Sequence, residues 1–148
     1  MKHKARRPNI GHLVHLRMAH PVIFFDGVCN LCNAAVQFIL KHDKAAVFKL
    51  AALQSDAAIH LLADQPIDAI ASDSILLLDD GKVYSRSTAA LRIAKQLSGG
   101  WRLLYIFIIV PAFLRDCIYN LVARNRYRIW GRLESCMVPA PEQQKRFL

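Results

Sequence analysis

The chain has few cysteines and no long hydrophobic run, and each shortage excludes a class of protein. Four cysteines among 148 residues are too few for a small domain held together by disulfide bonds. The apolar run Leu103–Leu114 is well short of the roughly 20 residues that a membrane-spanning helix requires, and Pro111 interrupts it. An apolar fraction of 54% argues against wholesale disorder. The sequence therefore predicts one folded domain with tails.

The first twenty residues lack the apolar core of a secretory signal. They are basic and histidine-rich, contain no acid, and only the short pair Leu13-Val14 resembles an apolar stretch. We therefore expect a cytoplasmic protein with a basic tail over residues 1–20, while an organellar transit peptide stays open as the alternative. In the cytoplasm, two cysteines three residues apart are more often catalytic or metal-binding than structural.

Acidic residues are scarce at both ends of the chain, so the net charge of +9 belongs to the ends rather than to the middle. Basic ends suit a nucleic acid or an anionic membrane surface. Four arginines near the C terminus, interleaved with Tyr127 and Trp130, extend the nucleic-acid alternative; they are Arg124, Arg126, Arg128 and Arg132. We favour a polar face over a helical segment and expect no nucleic acid, with membrane-surface contact through Leu103–Leu114 as the sharper alternative.

Hydrophobic periodicity predicts the order strand, helix, strand, helix, followed by strand, strand, helix. The predicted strands are 21–25, 47–50, 74–78 and 82–85, and the predicted helices start near Cys29, Ser55 and Ser87. Two parallel and two antiparallel strands covered by helices form the thioredoxin-type arrangement. We therefore predict an α/β, thioredoxin-like (βαβα-ββα) domain over residues 21–100. Residues 101–148 are expected to form a C-terminal helical extension packed on it, kinked or broken at Pro111.

The segment Cys29-Asn30-Leu31-Cys32 follows a buried strand and a turn, which places Cys29 at the start of a helix. Free backbone amides and the helix dipole favour the thiolate there and lower a cysteine pKa. Cys32 lies one turn further on, within reach for a disulfide, and is expected to be more buried and more weakly ionised. We therefore predict that Cys29 attacks and Cys32 resolves. Asp26, at the end of the strand, is predicted to take the Cys32 proton with a raised pKa; its alternative is a turn-former that caps the following amides.

The motif Asp26-x-x-Cys29-x-x-Cys32 resembles the DCC family of predicted thiol–disulfide oxidoreductases. The likeness continues through Tyr84-Ser85-Arg86-Ser87 and Arg124-Asn125-Arg126-Tyr127. It implies a thioredoxin-like fold and exchange of the dithiol with a disulfide-containing protein or a small thiol. No bound cofactor is expected, and glutathione or a partner dithiol would supply electrons. Thioredoxins carry a proline before the third strand, whereas Ala71-Ser72-Asp73 stand here, which departs from their mode of substrate docking.

The remaining candidates are weaker. Arg86 and Ser87, at the start of the last helix of the domain, are predicted to hold a substrate carboxylate, against the alternative of an ordinary helix cap. Zinc is the rival ligand for the Cys-x-x-Cys motif, but a second such pair is absent from the sequence, so we expect no metal. Cys117 lies in an apolar helical pattern and is expected to be a buried core thiol, while Cys136 stands alone.

Overall fold

The computed structural model describes residues 20–63, 65, 75–131 and 140–148. Predictions made for the basic tail up to residue 19, for the loop 66–74, and for Arg132 and Cys136 lie outside these residues. The strands are β1 (Val22–Phe25), β2 (Lys49–Ala52), β3 (Leu76–Asp79) and β4 (Lys82–Ser85). The α-helices are α1 (Asn30–His42), α2 (Asp56–Leu62), α3 (Arg86–Gln96) and α4 (Ala112–Trp130), and 3-10 helices cover Gly99–Ile109 and Gln144–Arg146.

The four strands form one sheet in the order β2-β1-β3-β4. β1 is parallel to β2 and antiparallel to β3, and β3 is antiparallel to β4. This order and these directions are those of a thioredoxin-like sheet, so the predicted fold class, α/β and thioredoxin-like with a C-terminal helical extension, is confirmed. β1 lies inside the sheet and leads through a turn into α1. The Cys-x-x-Cys segment therefore lies at the end of an inner strand.

β1 is buried on both faces, which explains why its sequence is apolar throughout. Successive strand side chains point to opposite faces. Ile23 and Phe25 pack with the face covered by α1 and α3, whereas Val22 and Phe24 pack with the face covered by α2. The core therefore has two layers, one on each face of the sheet. The turn that leads to Cys29 directly follows the fully buried strand β1.

The second strand begins two residues later than the sequence predicts. Asp43, buried at the C-terminal end of α1, accepts hydrogen bonds from the amides of Val47 and Phe48, each at 3.0 Å. Those two amides therefore complete the loop after α1, and the parallel ladder starts only at Lys49. Arg146 pairs with the same carboxylate and bonds the Phe48 carbonyl, so the C-terminal residues fasten this loop.

The described part of the extension packs on α1 and α3, and its helical run is interrupted at Pro111. Its apolar pattern does not form a core face, however. Phe113, Ile118 and Leu121 are 64–70% exposed, and Cys117 is exposed, so the expectation of a buried Cys117 is wrong. The reason is that α4 turns its opposite face, which carries Tyr119 and Arg126, toward the domain. Among the described residues, no helix is long and apolar enough to cross a membrane.

Candidate redox site

Cys29 is the N-cap of α1, as the sequence predicts. Its backbone is extended (φ −87°, ψ 121°), and its sulfur accepts a hydrogen bond from the amide of Cys32 at 3.4 Å. The turn that precedes it is closed by the Cys29 amide, which donates to the Asp26 carbonyl at 3.3 Å. A sulfur in the cap position receives the amide and the positive end of the helix dipole, and both favour a thiolate.

The burial order of the two cysteines is the reverse of the prediction. Cys29 is fully buried (0% exposed), whereas Cys32 is only partly buried. Burial in apolar surroundings, with the hydrogen bond and negative charge of Cys29, raises the pKa of Cys32 to about 12, against the opposing charge of Arg126. Cys32 is thus the more accessible of the two sulfurs and is protonated at neutral pH, whereas Cys29 is sheltered from solvent.

Asp26 is the centre of a hydrogen-bond network rather than a lone carboxyl in an apolar site. One carboxylate oxygen accepts from the Val28 amide at 3.1 Å and from the Gln54 side chain at 2.9 Å. The other accepts from the Tyr127 hydroxyl and pairs with the Arg126 guanidinium at 3.3 Å. The bond to Val28 is the turn-capping contact that stood as the alternative for this residue.

The raised pKa expected for Asp26 is therefore wrong. Burial acts to raise it, but the hydrogen bonds from Tyr127, Gln54 and the Val28 amide, together with the charge of Arg126, outweigh burial and lower the pKa. Asp26 is a carboxylate at neutral pH. The sequence shows the apolar strand before Asp26 but not the donors, because Arg126 and Tyr127 arrive from α4, one hundred residues later.

Arg126 is the site residue that sequence reasoning missed. The sequence groups it with exposed arginines, and in the structure Arg124 and Arg128 are indeed exposed, whereas Arg126 is 4% exposed and forms a buried ion pair. Burial works to lower its pKa, but the negative charges of both cysteines and of Tyr127 outweigh this and raise it. Its guanidinium is thus electrostatically coupled to both sulfurs. Its place in the resemblance, within Arg124-Asn125-Arg126-Tyr127, is the signal that could have found it.

The C-terminal end of α4 is anchored on the dithiol segment itself. The side-chain amide of Asn30 donates to the Trp130 carbonyl at 2.7 Å. Gly131 ends α4 with φ of +80°, and a Cβ atom there would lie 3.3 Å from the Asn30 amide nitrogen. A glycine allows both the positive φ and the close approach. The residue between the cysteines thus helps to place α4, and with it Arg126.

Of the two residues predicted to hold a substrate carboxylate, Ser87 is hydrogen-bonded within the protein and Arg86 is exposed. The Ser87 hydroxyl donates to Asp116 and accepts from Arg115 at 3.3 Å, so its hydrogen bonds fasten α4 to α3. Arg86 is exposed at the first residue of α3, with φ of +54°. Ser87 is therefore engaged within the protein, and carboxylate binding by Arg86 stays a prediction.

In the ranges that the structure describes, no group of three or more His, Cys, Asp or Glu side chains could hold a metal ion. Cys136, the remaining cysteine of the sequence, lies outside those ranges. The site that the structure does assemble consists of Asp26, Cys29, Cys32, Arg126 and Tyr127.

A dithiol at the N terminus of the first helix of this sheet defines a thioredoxin-like protein with a Cys-x-x-Cys centre. The DCC1-like thiol–disulfide oxidoreductase family matches residues 23–132, and the chain belongs to that family. The uncharacterized protein YuxK of Bacillus subtilis (strain 168) is 44% identical over 127 residues, which cover 86% of this chain and 93% of YuxK. A DCC family protein of Arabidopsis thaliana, named as chloroplastic, is 38% identical over 117 residues, covering 78% of this chain and 68% of its own. No solved structure matches the chain.

Proposed function

We propose that the protein exchanges its Cys29–Cys32 dithiol and disulfide with protein or low-molecular-weight thiols. The observation that carries the proposal is the position of Cys29. Its sulfur caps α1, accepts the Cys32 amide, and is coupled to the buried charge of Arg126. Such a sulfur leaves readily as a thiolate when its disulfide is attacked. The family's name supports the same class of reaction.

The remaining parts of the proposal concern partners and compartment. We propose that the protein needs no bound cofactor and that a partner dithiol or a small thiol such as glutathione supplies electrons. An exposed Arg86 would then attract a substrate carboxylate. We propose the cytoplasm as the compartment, since thiols there are kept reduced.

Two of the site residues receive positioning roles in this proposal. Asp26, as a carboxylate, holds the Arg126 guanidinium and caps the turn before Cys29. Arg126 in turn favours the thiolate form of the pair. A proton from Cys32 would therefore pass to water or substrate, because the lowered pKa of Asp26 makes it a poor acceptor.

The test is the reduction potential of the pair. The full chain is equilibrated in glutathione buffers of graded ratio, alkylated, and analysed by mass spectrometry. We expect a reversible two-electron transition that is lost in Cys29→Ser and in Cys32→Ser, and kept in Cys117→Ser, the matched control for an exposed thiol. A transition unaffected by Cys29→Ser, or no reversible transition, would contradict the proposal.

We also propose that the extension contacts an anionic membrane surface. Leu103, Ile106 and Ile109 are 76%, 65% and 81% exposed, and the exposed Arg102 lies beside them in the chain. We call the four exposed apolar residues of this segment the apolar ridge: Leu103, Ile106, Phe107 and Ile109. Apolar side chains can enter the boundary region of a bilayer while a neighbouring cation contacts the anionic headgroups. Such a segment binds the membrane surface and does not span the membrane.

A further inference from the structure

Two apolar cavities lie end to end between α3 and the extension. The first, of about 350 Å³, opens beside Cys32 and is bounded by α1, α3, the 3-10 helix Gly99–Ile109 and α4. The second, of about 460 Å³, is bounded by α3, the end of the same 3-10 helix and the start of α4. Ala90, Tyr119 and Val122 line both cavities. The two therefore adjoin, and we call them together the α3–α4 groove.

The α3–α4 groove is elongated and apolar. It follows α3 from Ser87 to Leu97, a distance of about 15 Å at the helical rise of about 1.5 Å per residue. Its walls are almost entirely apolar. The amide groups of a peptide would lose their hydration against such walls without gaining partners, whereas an extended alkyl chain has no polar group to desolvate. The groove therefore favours an alkyl chain over a peptide.

Arg115 brings a cation to the wall of the second cavity. Its Nε donates to the Val110 carbonyl at 2.9 Å. Its Nη1 donates to the hydroxyls of Ser87 and Thr88 at 3.3 and 3.4 Å. The neighbouring Asp116 accepts from Ser87 instead. Within the part of the chain that the structure describes, Arg115 forms no ion pair and its Nη2 makes no hydrogen bond, so this nitrogen can donate to an anion in the groove.

The two ends of the groove differ in the charge that they offer to a ligand. At the end beside Cys32, Arg126 also lines the wall, but its guanidinium is paired with Asp26 at 3.3 Å. The Tyr119 hydroxyl is likewise engaged, because it accepts from the Ile75 amide at 3.2 Å. An anionic group is therefore favoured at the Arg115 end, and an uncharged chain end is favoured beside Cys32.

We propose that the α3–α4 groove binds a long-chain fatty acid, with its carboxylate at Arg115 and the end of its alkyl chain beside Cys32. Burial of the chain supplies affinity, and the charged hydrogen bond to Arg115 fixes the orientation. Each cavity has a volume within the range of small-molecule sites, roughly 300–1,000 Å³. Phe107 of the apolar ridge also lines the second cavity, so the groove adjoins the surface proposed to contact membranes. Binding involves no redox step and is independent of the proposed exchange.

The first experiment measures binding to the reduced full chain in the absence of vesicles. Dodecanoate, octanoate and dodecanol displace the fluorescent fatty acid cis-parinaric acid, each below the concentration at which it aggregates. We expect saturable binding of one dodecanoate per chain. Octanoate should bind more weakly because it buries less apolar surface, and dodecanol about tenfold more weakly because it lacks the charge that meets Arg115. No displacement by dodecanoate would overturn the site, and equal affinity for the acid and the alcohol would overturn the role of Arg115.

The second experiment separates the charge of Arg115 from its structural contacts. We expect Arg115→Gln to weaken dodecanoate about tenfold and dodecanol by less than about twofold, because only the acid loses an ionic partner. Arg115→Lys should restore most of the preference for the acid. Arg124→Gln, at an exposed position outside the groove, is the control for the loss of one positive charge and should change neither affinity. Equal weakening of the acid and the alcohol by Arg115→Gln would contradict the assigned carboxylate position.

The third experiment tests the path of the alkyl chain with matched variants. Ala90 is exposed where the two cavities meet, and Ala34, exposed on α1, lines neither. We expect Ala90→Phe to weaken dodecanoate by about tenfold or more by obstructing the groove, and Ala34→Phe to leave it unchanged. Equal effects of the two substitutions would overturn the location.

The fourth experiment tests the orientation of the bound chain. A fatty acid with a diazirine at the end of its chain is photolysed on the protein, and the labelled peptides are identified by mass spectrometry. We expect labels on residues 31–39 of α1, which line the groove beside Cys32. Labels confined to residues 107–115 would overturn the orientation. Loss of thiol–disulfide exchange in a protein that still binds dodecanoate would contradict the proposed function and leave the fatty-acid site standing.

Discussion

At the scale of single residues, Arg126 connects a buried ion pair to the dithiol. Its guanidinium pairs with Asp26 at 3.3 Å and hydrogen-bonds the Tyr127 hydroxyl at 3.0 Å, while both cysteines act on its pKa. A single buried cation therefore pairs with the Asp26 carboxylate and interacts electrostatically with both cysteines. Arg124, two residues earlier on the same helix, is exposed and offers a control for the loss of one positive charge.

We expect Arg126→Gln to raise the apparent pKa of the first thiol to ionise, because the charge that favours the thiolate is removed. The change also leaves the Asp26 carboxylate without its cation, so the free energy of unfolding should fall by about 3 kcal/mol. The pH profile of alkylation and denaturant unfolding measure the two effects. Arg124→Gln should leave both unchanged, and an unaltered alkylation profile in Arg126→Gln would remove the electrostatic role.

We expect Asp26 to make stability depend on pH. Its pKa is lowered in the folded protein, so its contribution is present above its unfolded pKa of about 3.9 and is lost as pH falls through the lower folded value. Asp26→Asn should therefore be less stable than wild type at pH 7, with a difference that shrinks in acid below about pH 4. Unfolding by urea at graded pH measures this, and Asp80→Asn, in an exposed turn, is the control. A difference that is constant with pH would refute the expectation.

At the scale of elements, the helices differ in how their first turns are capped. The Ser55 hydroxyl accepts from the Ala58 amide at 3.2 Å at the start of α2. Ser85 holds the same position before α3 but makes no side-chain cap hydrogen bond. The two serines thus provide a matched pair, in which only one side chain satisfies a free amide of a helix N terminus.

We expect Ser55→Ala to lower the free energy of unfolding by about 1 kcal/mol, because the capping bond is lost. Ser85→Ala should change it by less than about 0.5 kcal/mol. Denaturant unfolding of the two variants provides the measurement. Equal losses in both would mean that the serines act through something other than capping.

The extension shows how one element can be placed by contacts that are distant in sequence. Asn30 holds its C-terminal end, and Ser87 binds Asp116 and Arg115 near its start. The apolar pattern of α4 alone predicts a buried face along Phe113 and Leu121, yet those side chains are exposed. The packing follows the polar anchors instead, and it turns Tyr119 and Arg126 inward.

At the scale of the whole molecule, the charge of +9 and the apolar ridge combine into a prediction about membranes. We expect the full chain to sediment with vesicles that contain anionic lipid, less at high salt, and not with vesicles of neutral lipid alone. Ile109→Glu should weaken binding by about tenfold or more, since it removes an inserting side chain. Ile59→Glu, at an exposed position on α2, should not. Binding that is independent of lipid charge or unaffected by Ile109→Glu would contradict the proposal.

Local sequence signals are sufficient to predict the secondary-structure elements of the domain and their order. The unbroken apolar run of β1, the Ser55 cap and the turn before Lys82 each act within a few residues, so they specify elements and their order. They also place Cys29 at the first turn of α1. The sequence places the start of β2 two residues too early. The amides of Val47 and Phe48 donate to the Asp43 carboxylate instead of joining the sheet, and hydrophobic periodicity does not reveal such a contact.

The thioredoxin-like element order and the Cys29–Cys32 pair can thus be predicted from the sequence, because both depend on patterns that span only a few residues. Three features depend on tertiary contacts instead: the low pKa of the Asp26 carboxylate, the burial of Arg126 in an ion pair with Asp26, and the position of Cys32 rather than Cys29 on a cavity wall. The physical reason is that burial and ion pairing depend on which surfaces meet. Here the deciding surface is α4, which reaches the first turn of α1 from one hundred residues away.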